Sequence, residues 1–338
     1  MAEKEEIMRK KPSRTSRGKP RSAGGAQTPI QHVVIIVKEN HTFDNYFGTF
    51  PGANGVVLPA ASDPLTQGPT DPPHDHRAWL KRNDPNGAVR LQYKRDDIPA
   101  YWAYAQQYTL CDNYFTDVAS QSEPNHLMLI AAQSPVIDNA SPHRTYQPQP
   151  PYRLRSLPAV LAAAGLDWRN YADPQASYFR QIAGLANDAS NVPSGQFDTD
   201  VAKGYLPAVS WLYAPGGRSE HPPFSGSGGP VVKPGMEWTV ERVTKVAASP
   251  LWASAVIFIT WDDWGGWFDH VDPPHVAPWT GGGPPGAGYT GSQFRYGPRV
   301  PCLVVSPYAK RGVNSTFHSH VSLVKFCLRT FSLPSLGA

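Results

Sequence analysis

Two pairs of oxygen-bearing side chains follow the two most apolar segments of the chain. Glu39-Asn40 comes directly after HVVIIVK, and Asp262-Asp263 comes directly after AVIFITW. Carboxylate and amide oxygens suit hard divalent ions such as Ca²⁺ or Mg²⁺, although Zn²⁺ also accepts carboxylates. Like charges brought close together repel unless a cation lies between them. If the segments are neighbours, the two pairs predict one divalent metal site.

The alternative is that each pair is simply the polar end of a strand. For one pair taken alone, this alternative would be preferred. The β-branched run of residues 33–37 and the similar run in 254–261 predict strands buried on both faces, as in a parallel sheet. Ligands of open α/β sheets bind beyond the carboxyl ends of the strands. The repetition of the pattern after two core strands therefore favours the metal site.

Ser122 supplies a third chemical group, at the start of SEPNHLMLIAAQ. The segment predicts a helix over 122–133 with Ser122 as its N-cap. Backbone N–H groups at a helix start attract anions, and a metal beside the hydroxyl could activate it as a nucleophile. Asn125 and His126 follow within about one turn. A simple capping role is the alternative for Ser122.

Histidines cluster in Pro-rich or turn-rich loops, which is a poor setting for core packing. As a group they suit contacts to phosphate and protonation of a leaving group, although each one alone is more readily explained as a surface or supporting residue. His221 and His126 are the candidates for the acid. The candidates for substrate contact are His76, His270 and His320.

Strands and helices alternate along the rest of the chain. Further strands are predicted at 166–171, 206–213 and 300–307, and further helices at 96–107, 156–164, 237–248 and 320–331. This alternation predicts an α/β fold with a mainly parallel central sheet. One domain over residues 29–338 accommodates all of these elements.

The composition narrows the class of protein. The net charge of +4 comes from residues 1–28, which hold eight Lys or Arg and three Glu and are predicted to be a disordered basic tail. The remainder carries no nucleic-acid motif, so no specific nucleic-acid partner is expected. No apolar run reaches the roughly 20 residues of a membrane span. The oligomeric state is left open.

Cysteine spacing and the N-terminus bear on the compartment. Cys111, Cys302 and Cys327 form no CxxC pair, which argues against a structural zinc cluster. Three buried thiols are expected, with one disulfide as the alternative. The N-terminus shows no apolar signal-peptide core, and the sequence does not decide the cellular compartment.

The motifs, taken in order, resemble those of the bacterial phosphoesterase family, which contains phosphatidylcholine-type phospholipases C and an acid phosphatase. The matching segments are ENHTFDNYFG, SEPNHLML, FITWDDWGGWFDHVDPP and RVPCLVVSPYAKRG, and they span residues 31–331. The resemblance implies an alkaline-phosphatase-like three-layer α/β/α sandwich and a metal-assisted Ser or Thr nucleophile. Members are often exported.

Carried over by position, the resemblance makes Glu39, Asn40, Asp262 and Asp263 the metal ligands and Ser122 the nucleophile. Asn125 and His126 match the residues that follow it, and His221 matches a histidine that faces the phosphate. The chain departs from the family pattern at Trp264, where His is usual, and at Ser319, where Asp is usual. Neither departure removes a proposed ligand.

These observations predict a metal-dependent phosphoesterase of the phospholipase C type that forms a phosphoserine on Ser122. A phosphomonoesterase with the same core is the alternative, because both reactions need the same nucleophile and cation. An inactive binding protein of the same fold is disfavoured by the presence of the nucleophile and all four ligands. The expected substrate is a phosphate ester, including phospholipid.

Overall fold

The structure is a computed structural model that describes residues 28–61, 71–173, 178–223 and 231–337. The predicted basic tail, residues 1–28, lies outside these ranges except for Thr28. Its prediction is therefore not tested.

Twelve strands and eight α-helices are assigned within the described ranges. The strands are β1 (His32–Lys38), β2 (Thr109–Cys111), β3 (Tyr114–Phe115), β4 (Trp168–Tyr171), β5 (Asn191–Val192), β6 (Val209–Tyr213), β7 (Ala255–Trp261), β8 (Ala277–Pro278), β9 (Gln293–Arg295), β10 (Cys302–Val305), β11 (Gly312–Asn314) and β12 (His318–Ser319). The helices are α1 (Phe43–Phe47), α2 (His76–Leu80), α3 (Pro99–Gln107), α4 (Ser122–Ala131), α5 (Leu157–Ala163), α6 (Gln196–Ala202), α7 (Val232–Ala247) and α8 (His320–Thr330).

An eight-stranded sheet runs through the centre, in the order β11-β2-β10-β7-β1-β6-β4-β5. The pairings of β1 with β7 and β6, of β6 with β4 and of β4 with β5 are all parallel. Strand β10 runs antiparallel to both of its neighbours, β7 and β2. The prediction of a mainly parallel sheet is confirmed.

Helices cover both faces of the sheet. Trp211 of β6 pairs with Ile35 of β1, and its indole N–H donates to the carbonyl oxygen of Leu129 in α4 at 3.3 Å. Lys38 lies three residues after Ile35, so its side chain emerges on the opposite face, and its ammonium donates to the carbonyl oxygen of Gly235 in α7 at 3.1 Å. Helices α4 and α7 therefore belong to different layers. Helix α4 packs with α5 and α8, and α7 packs with α3 and α6.

The predicted elements are present, with shifted ends. The longest shift is in α7, which begins at Val232 rather than at residue 237. Pro234 and Gly235 are poor formers of a helix interior, but proline is tolerated in a first turn because its missing N–H would have no partner. Strand β2 was not predicted, since TLC is too short to show a period. No helix in the described ranges is long and apolar enough to cross a membrane.

The expectation of three buried thiols is confirmed. Cys111, Cys302 and Cys327 are buried and form no disulfide. Cys111 and Cys302 are register partners on β2 and β10. Burial and the neighbouring Cys111 thiol together keep the pKa of Cys302 above its usual range, which favours the thiol form.

Ile35 of the central strand offers a test of the core. It has 0% exposure, whereas Val57 is 79% exposed. Ile35→Ala should lower the free energy of unfolding by about 2–5 kcal/mol, because it removes buried surface and leaves a cavity. Val57→Ala is the control and should change it by less than about 0.5 kcal/mol. Urea unfolding of the two variants measures both values, and equal small effects would contradict the assigned burial.

Candidate metal and nucleophile site

The carboxyl ends of β1 and β7 form one edge of the sheet. The two strands are parallel neighbours, with Lys38 opposite Trp261, so the next residues of both strands start side by side. The backbone N–H of Asp262 donates to the carbonyl oxygen of Lys38 at 2.9 Å. The backbone N–H of Asn40 donates to Asp262 Oδ1 at 3.1 Å. The structure thus brings the two predicted ligand pairs together.

A set of ligand atoms suited to a cation lies at this edge. One atom each from Glu39, His126 and Asp262 lies within 4.8 Å of the others. His126 Nε2 is 3.2 Å from Asp262 Oδ2. His126 was predicted as an acid, and its nearness to these carboxylates makes it a candidate nitrogen ligand. A mixed nitrogen and oxygen set widens the choice of metal toward Zn²⁺.

Several buried polar atoms of the site have no hydrogen-bond partner in the structure. They are Oδ1 and Nδ2 of Asn40, Oδ2 of Asp262, and both ring nitrogens of His126. Leaving such atoms unsatisfied in a protein interior is costly. A cation held by these oxygens and a ring nitrogen would remove part of that cost. The residues present therefore fit a divalent metal.

The turns after β1 and β7 both have a residue in the left-handed backbone region. Asn40 has φ +55°, in the left-handed region that non-glycine residues rarely adopt. A Cβ on Gly265, which has φ +56°, would lie 2.4 Å from Asn40 Cβ. The two turns after β1 and β7 are therefore in close contact. Such strain typically persists where a site needs a specific geometry.

Burial and the nearby negative charges shift the pKa values of the three carboxyl groups. Burial raises the pKa of Glu39 and of Asp263, and the charge of Asp262 raises both further. Burial also opposes ionisation of Asp262, but His126 and the N–H of Asn40 outweigh it and lower its pKa to about 2. Without a cation, crowding and burial therefore favour the protonated forms of Glu39 and Asp263 and the ionised form of Asp262.

Ser122 lies beside this cluster. Its hydroxyl donates to Asp263 Oδ2 at 3.0 Å, and Asp263 Oδ1 accepts the backbone N–H of Gly265 at 2.6 Å. The prediction that Ser122 caps its helix is wrong, because Gln121 is the N-cap and Ser122 is the first helical residue. The hydroxyl is engaged with Asp263, in the turn that follows β7, rather than with its own helix.

Asn125 shapes the turn that precedes α4. Its side-chain oxygen accepts the backbone N–H of Val118 at 2.9 Å, and its amide donates to the carbonyl oxygens of Val118 and Gln121, each at 3.1 Å. Asn125 thereby holds the backbone that leads to Ser122. These contacts describe a positioning residue.

The ring nitrogens of the three predicted substrate-contact histidines have partners within the protein. His76 contacts the carbonyl oxygen of Ala119 and the hydroxyl of Ser292, at 2.7 and 2.6 Å. His270 contacts Asp44 at 2.6 Å and Asn54 at 3.2 Å. His320 contacts the Tyr114 hydroxyl at 3.0 Å and the carbonyl oxygen of Asp262 at 2.8 Å. Of the three, only His320 contacts a residue of the predicted ligand pairs. It contacts the backbone carbonyl oxygen of Asp262 and so helps to hold that residue in position.

His221 lies close to two residues of another loop, Asp71 and His74, which were not candidates from the sequence. Its Nε2 is 3.8 Å from Asp71 Oδ1, which is 3.4 Å from Nδ1 of His74. The His221 side chain is about one-fifth exposed. It is therefore more open to solvent than His126, which is fully buried.

Glu220, which precedes His221, was missed from the sequence. Its buried carboxylate accepts hydrogen bonds from Tyr46 at 2.9 Å, Tyr101 at 2.5 Å and the indole of Trp261 at 3.1 Å. The ammonium of Lys38 is 3.2 Å away. Burial raises the pKa of Glu220 and lowers that of Lys38 despite their attraction. Lys38 and Trp261 precede the two ligand pairs directly, so Glu220 fixes both strand ends.

Aromatic rings of the chain could hold a cationic head group by cation–π contact, or they could serve ordinary packing. The candidate rings are all buried, with exposures of 9% or less: Tyr46, Trp79, Tyr101, Trp102, Trp264, Trp267 and Trp279. Trp264, for example, packs edge-on against Trp79 at 5.8 Å. The buried rings serve packing, and no cation-binding face is assigned to them.

A family model described as "Phosphoesterase family" matches residues 30–75 and 65–334. The chain belongs to the phosphoesterase family. It is similar to the "Non-hemolytic phospholipase C" of Pseudomonas aeruginosa, with 30% identity over 90% of this chain and 54% of that protein. The protein of the same name from Burkholderia pseudomallei is 29% identical over 91% of this chain and 56% of its own length. The chain thus spans about half the length of these two phosphoesterase relatives.

A third relative and a solved structure extend the comparison. "Phospholipase C A" of Mycobacterium tuberculosis is 28% identical over 92% of this chain and 74% of that protein. The solved structure of the lipoteichoic acid synthase LtaP from Listeria monocytogenes matches with a TM-score of 0.51 and 10% identity, over 90% of this chain and 72% of that chain. That likeness concerns the fold alone. The predicted fold class, a three-layer α/β/α sandwich with a mainly parallel central sheet, is confirmed for this member of the phosphoesterase family.

The raised pKa values of Glu39 and Asp263 predict that a bound cation stabilises the protein to an extent that depends on pH. The stability that Glu39 and Asp263 contribute is full below their unfolded pKa of about 4 and is lost as pH rises through their higher folded values. Asp262 acts in the opposite direction, but only as pH falls toward about 2. A bound cation favours the ionised carboxylates, so its stabilising effect should grow with pH.

Thermal melting of chelated protein, with and without added Zn²⁺, Ca²⁺ or Mg²⁺, measures this effect between about pH 5 and pH 8. The rise in Tm should be larger at the higher pH. Glu39→Gln should reduce the pH dependence, since the glutamine cannot ionise while Asp263 still can. A rise that is the same at all pH values would contradict the carboxylate cluster as the binding site.

Glu220→Ala tests the anchor of the strand ends. The change leaves the Lys38 ammonium buried without its carboxylate, and we expect the free energy of unfolding to fall by about 3–5 kcal/mol. Glu241→Ala is the matched control. Glu241 pairs with Lys245 at the surface, and its loss should cost no more than about 1 kcal/mol. If chemical denaturation gives similar values for both variants, Glu220 does not anchor the site.

Proposed function

We propose that this chain is a metal-dependent phosphoesterase of the phospholipase C type, acting through a phosphoserine on Ser122. The observation that carries the proposal is the hydroxyl of Ser122, 3.0 Å from Asp263 Oδ2 and beside the candidate metal ligands. Nucleophile, proton acceptor and cation site thereby share one sheet edge. Family membership supports the same reaction class.

The metal would be held by Glu39, Asn40, Asp262 and Asp263, with His126 as a further candidate ligand. A divalent ion at this place would lower the pKa of a nearby hydroxyl and neutralise charge on the phosphoryl oxygens. Unpartnered buried atoms of Asn40 and Asp262 support this assignment.

Ser122 Oγ would attack phosphorus in line with the leaving oxygen. The Oγ–P bond forms while the bond from phosphorus to the leaving oxygen breaks, and the Ser122 proton passes to Asp263. The existing hydrogen bond between these two groups supplies the path. Water would then cleave the phosphoserine from the vacated side and restore the hydroxyl. Positioning and charge stabilisation dominate such phosphoryl transfers.

The leaving alcohol needs a proton, and His221 is the preferred donor. Its ring is partly exposed, as a group that meets a substrate must be. His126 is the less favoured candidate, because it is fully buried against Asp262. A general acid contributes typically about 10²–10⁴-fold in rate.

Phospholipid is the preferred substrate class, because the curated relatives named above are phospholipases C. Hydrolysis by such enzymes separates a phosphorylated head group from the lipid alcohol. A phosphomonoester remains the alternative, since the nucleophile and metal ligands would be the same. The buried aromatic rings do not favour a choline head group over other phosphate esters.

Ser122→Ala separates a nucleophile from a structural residue. The variant should fold and keep its metal but lose several orders of magnitude in turnover, because the covalent route is gone. Ser122→Thr should retain part of the activity, since the hydroxyl remains. Metal content, melting temperature and turnover are measured on the same samples. Near-normal turnover of Ser122→Ala would exclude the phosphoserine.

A substrate panel distinguishes the two esterase alternatives. The full chain is assayed with p-nitrophenyl phosphate, a phosphodiester analogue and phosphatidylcholine vesicles, each with and without chelator. We expect turnover of the lipid and the diester that chelator abolishes and added metal restores. Preference for the monoester would favour the phosphatase alternative, and activity unaffected by chelator would contradict metal dependence.

A further inference from the structure

A second group of potential ligands lies outside the four predicted ones. Asp71, His74 and His221 each offer one ligand atom, and the three atoms lie within 4.8 Å of one another. The residues come from two loops that are about 150 positions apart in the sequence. The backbone N–H of Asp71 donates to the carbonyl oxygen of Pro223 at 3.0 Å, which joins the two loops.

The spacing within this group fits a coordination shell better than a hydrogen-bonded one. Asp71 Oδ1 is 3.8 Å from His221 Nε2, longer than the roughly 2.7–3.2 Å of an N–H···O bond and close to the roughly 3.4 Å between neighbouring ligands of a tetrahedral zinc-like ion. His74 Nδ1 is 3.4 Å from Asp71 Oδ1 but is engaged with Pro72, so Nε2 is the candidate ligand atom of His74. Asp71 Oδ1 is also buried without a hydrogen-bond partner in the structure.

Both imidazoles are oriented by prolyl carbonyl oxygens. His221 Nδ1 lies 2.6 Å from the carbonyl oxygen of Pro222, and His74 Nδ1 lies 2.6 Å from that of Pro72. A carbonyl oxygen only accepts, so each contact places the ring proton on Nδ1. Metal-binding histidines typically donate their other ring N–H in this way, which leaves Nε2 as the ligand atom. In His221, Nε2 is the nitrogen nearest to Asp71.

This group borders the catalytic edge of the sheet. The indole N–H of Trp264 donates to the carbonyl oxygen of His74 at 2.8 Å, and a Cβ on Gly266 would lie 2.6 Å from Pro72 Cβ. Trp264 directly follows Asp263, and the charge of Asp71 contributes to the raised pKa of Asp263. The loop that carries Asp71 and His74 therefore packs against the segment that follows Asp263.

We propose that Asp71, His74 and His221 bind a second divalent cation, of the zinc-like class that accepts nitrogen and oxygen ligands. The binding site stands on its own geometry, whereas its role rests on the proposed function. A cation beside His221 would neutralise the charge on the leaving oxygen. His221 would then act as a ligand instead of protonating that oxygen, and solvent would supply the proton.

Metal stoichiometry tests the site without an activity assay. The full chain is stripped with chelator, equilibrated with Zn²⁺, dialysed, and its metal content is measured by mass spectrometry. We expect about two equivalents in the original chain and about one in His74→Ala and in Asp71→Asn. Glu39→Gln combined with Asp262→Asn should lose the other equivalent. Co²⁺ loading gives a second readout, because His74→Ala should lose part of the visible absorption.

His275→Ala is the matched control, since His275 is an exposed loop histidine outside the group, and it should keep about two equivalents. Circular dichroism checks folding, and His221→Asn replaces His74→Ala should the latter misfold. About one equivalent in the original chain, unchanged in His74→Ala and His221→Asn, would overturn the proposal and return His221 to its acid role. Loss of an equivalent in His74→Ala without phosphate-ester turnover in the original chain would keep the site and reject the proposed function.

Discussion

The carboxylate of Glu220 is the contact on which the sheet edge of the candidate site depends. It accepts hydrogen bonds from Tyr46, Tyr101 and Trp261 and faces the ammonium of Lys38. In a low-dielectric interior these bonds strengthen one another, and a missing partner would leave a buried charge. Lys38 is the last residue of β1 and Trp261 is the last residue of β7. Because both contact Glu220, this carboxylate links the ends of the two strands. The ligand pairs begin at the next residues.

Glu220 also acts on the loop that carries His221. Its φ of +77° is unusual for a non-glycine residue, and it persists because the side chain is held by several donors. The backbone N–H of Glu39 donates to the carbonyl oxygen of Ser219 at 2.9 Å, so the same loop is fastened to the first ligand pair. A Cβ on Gly235 would lie 2.3 Å from Glu220 Cγ, which shows how closely α7 approaches. The strain at Glu220 is thus offset by its hydrogen bonds and by close packing against α7.

The sequence predicted the strands and the first ligand pairs because those signals are local. An unbroken apolar run identifies β1 and β7, and the polar residues directly after each run must share an edge once the strands are parallel neighbours. Helix ends were less predictable, as the early start of α7 shows. Glu220 and the contact of Asp71 with His221 could not be predicted, because they depend on which loops the folded sheet brings together. The one local hint was an acidic residue directly before His221.

Trp264 shows how a departure from the family pattern can preserve a site. The family pattern has histidine at this position, where this chain has tryptophan. Its ring packs edge-on against Trp79, while its indole N–H holds the carbonyl oxygen of His74. A histidine is smaller and would leave part of the space beside Trp79 unfilled, so the loop of His74 would lose contacts. The substitution therefore changes how the wall of the site is supported, while Asp262 and Asp263 keep their places at the end of β7.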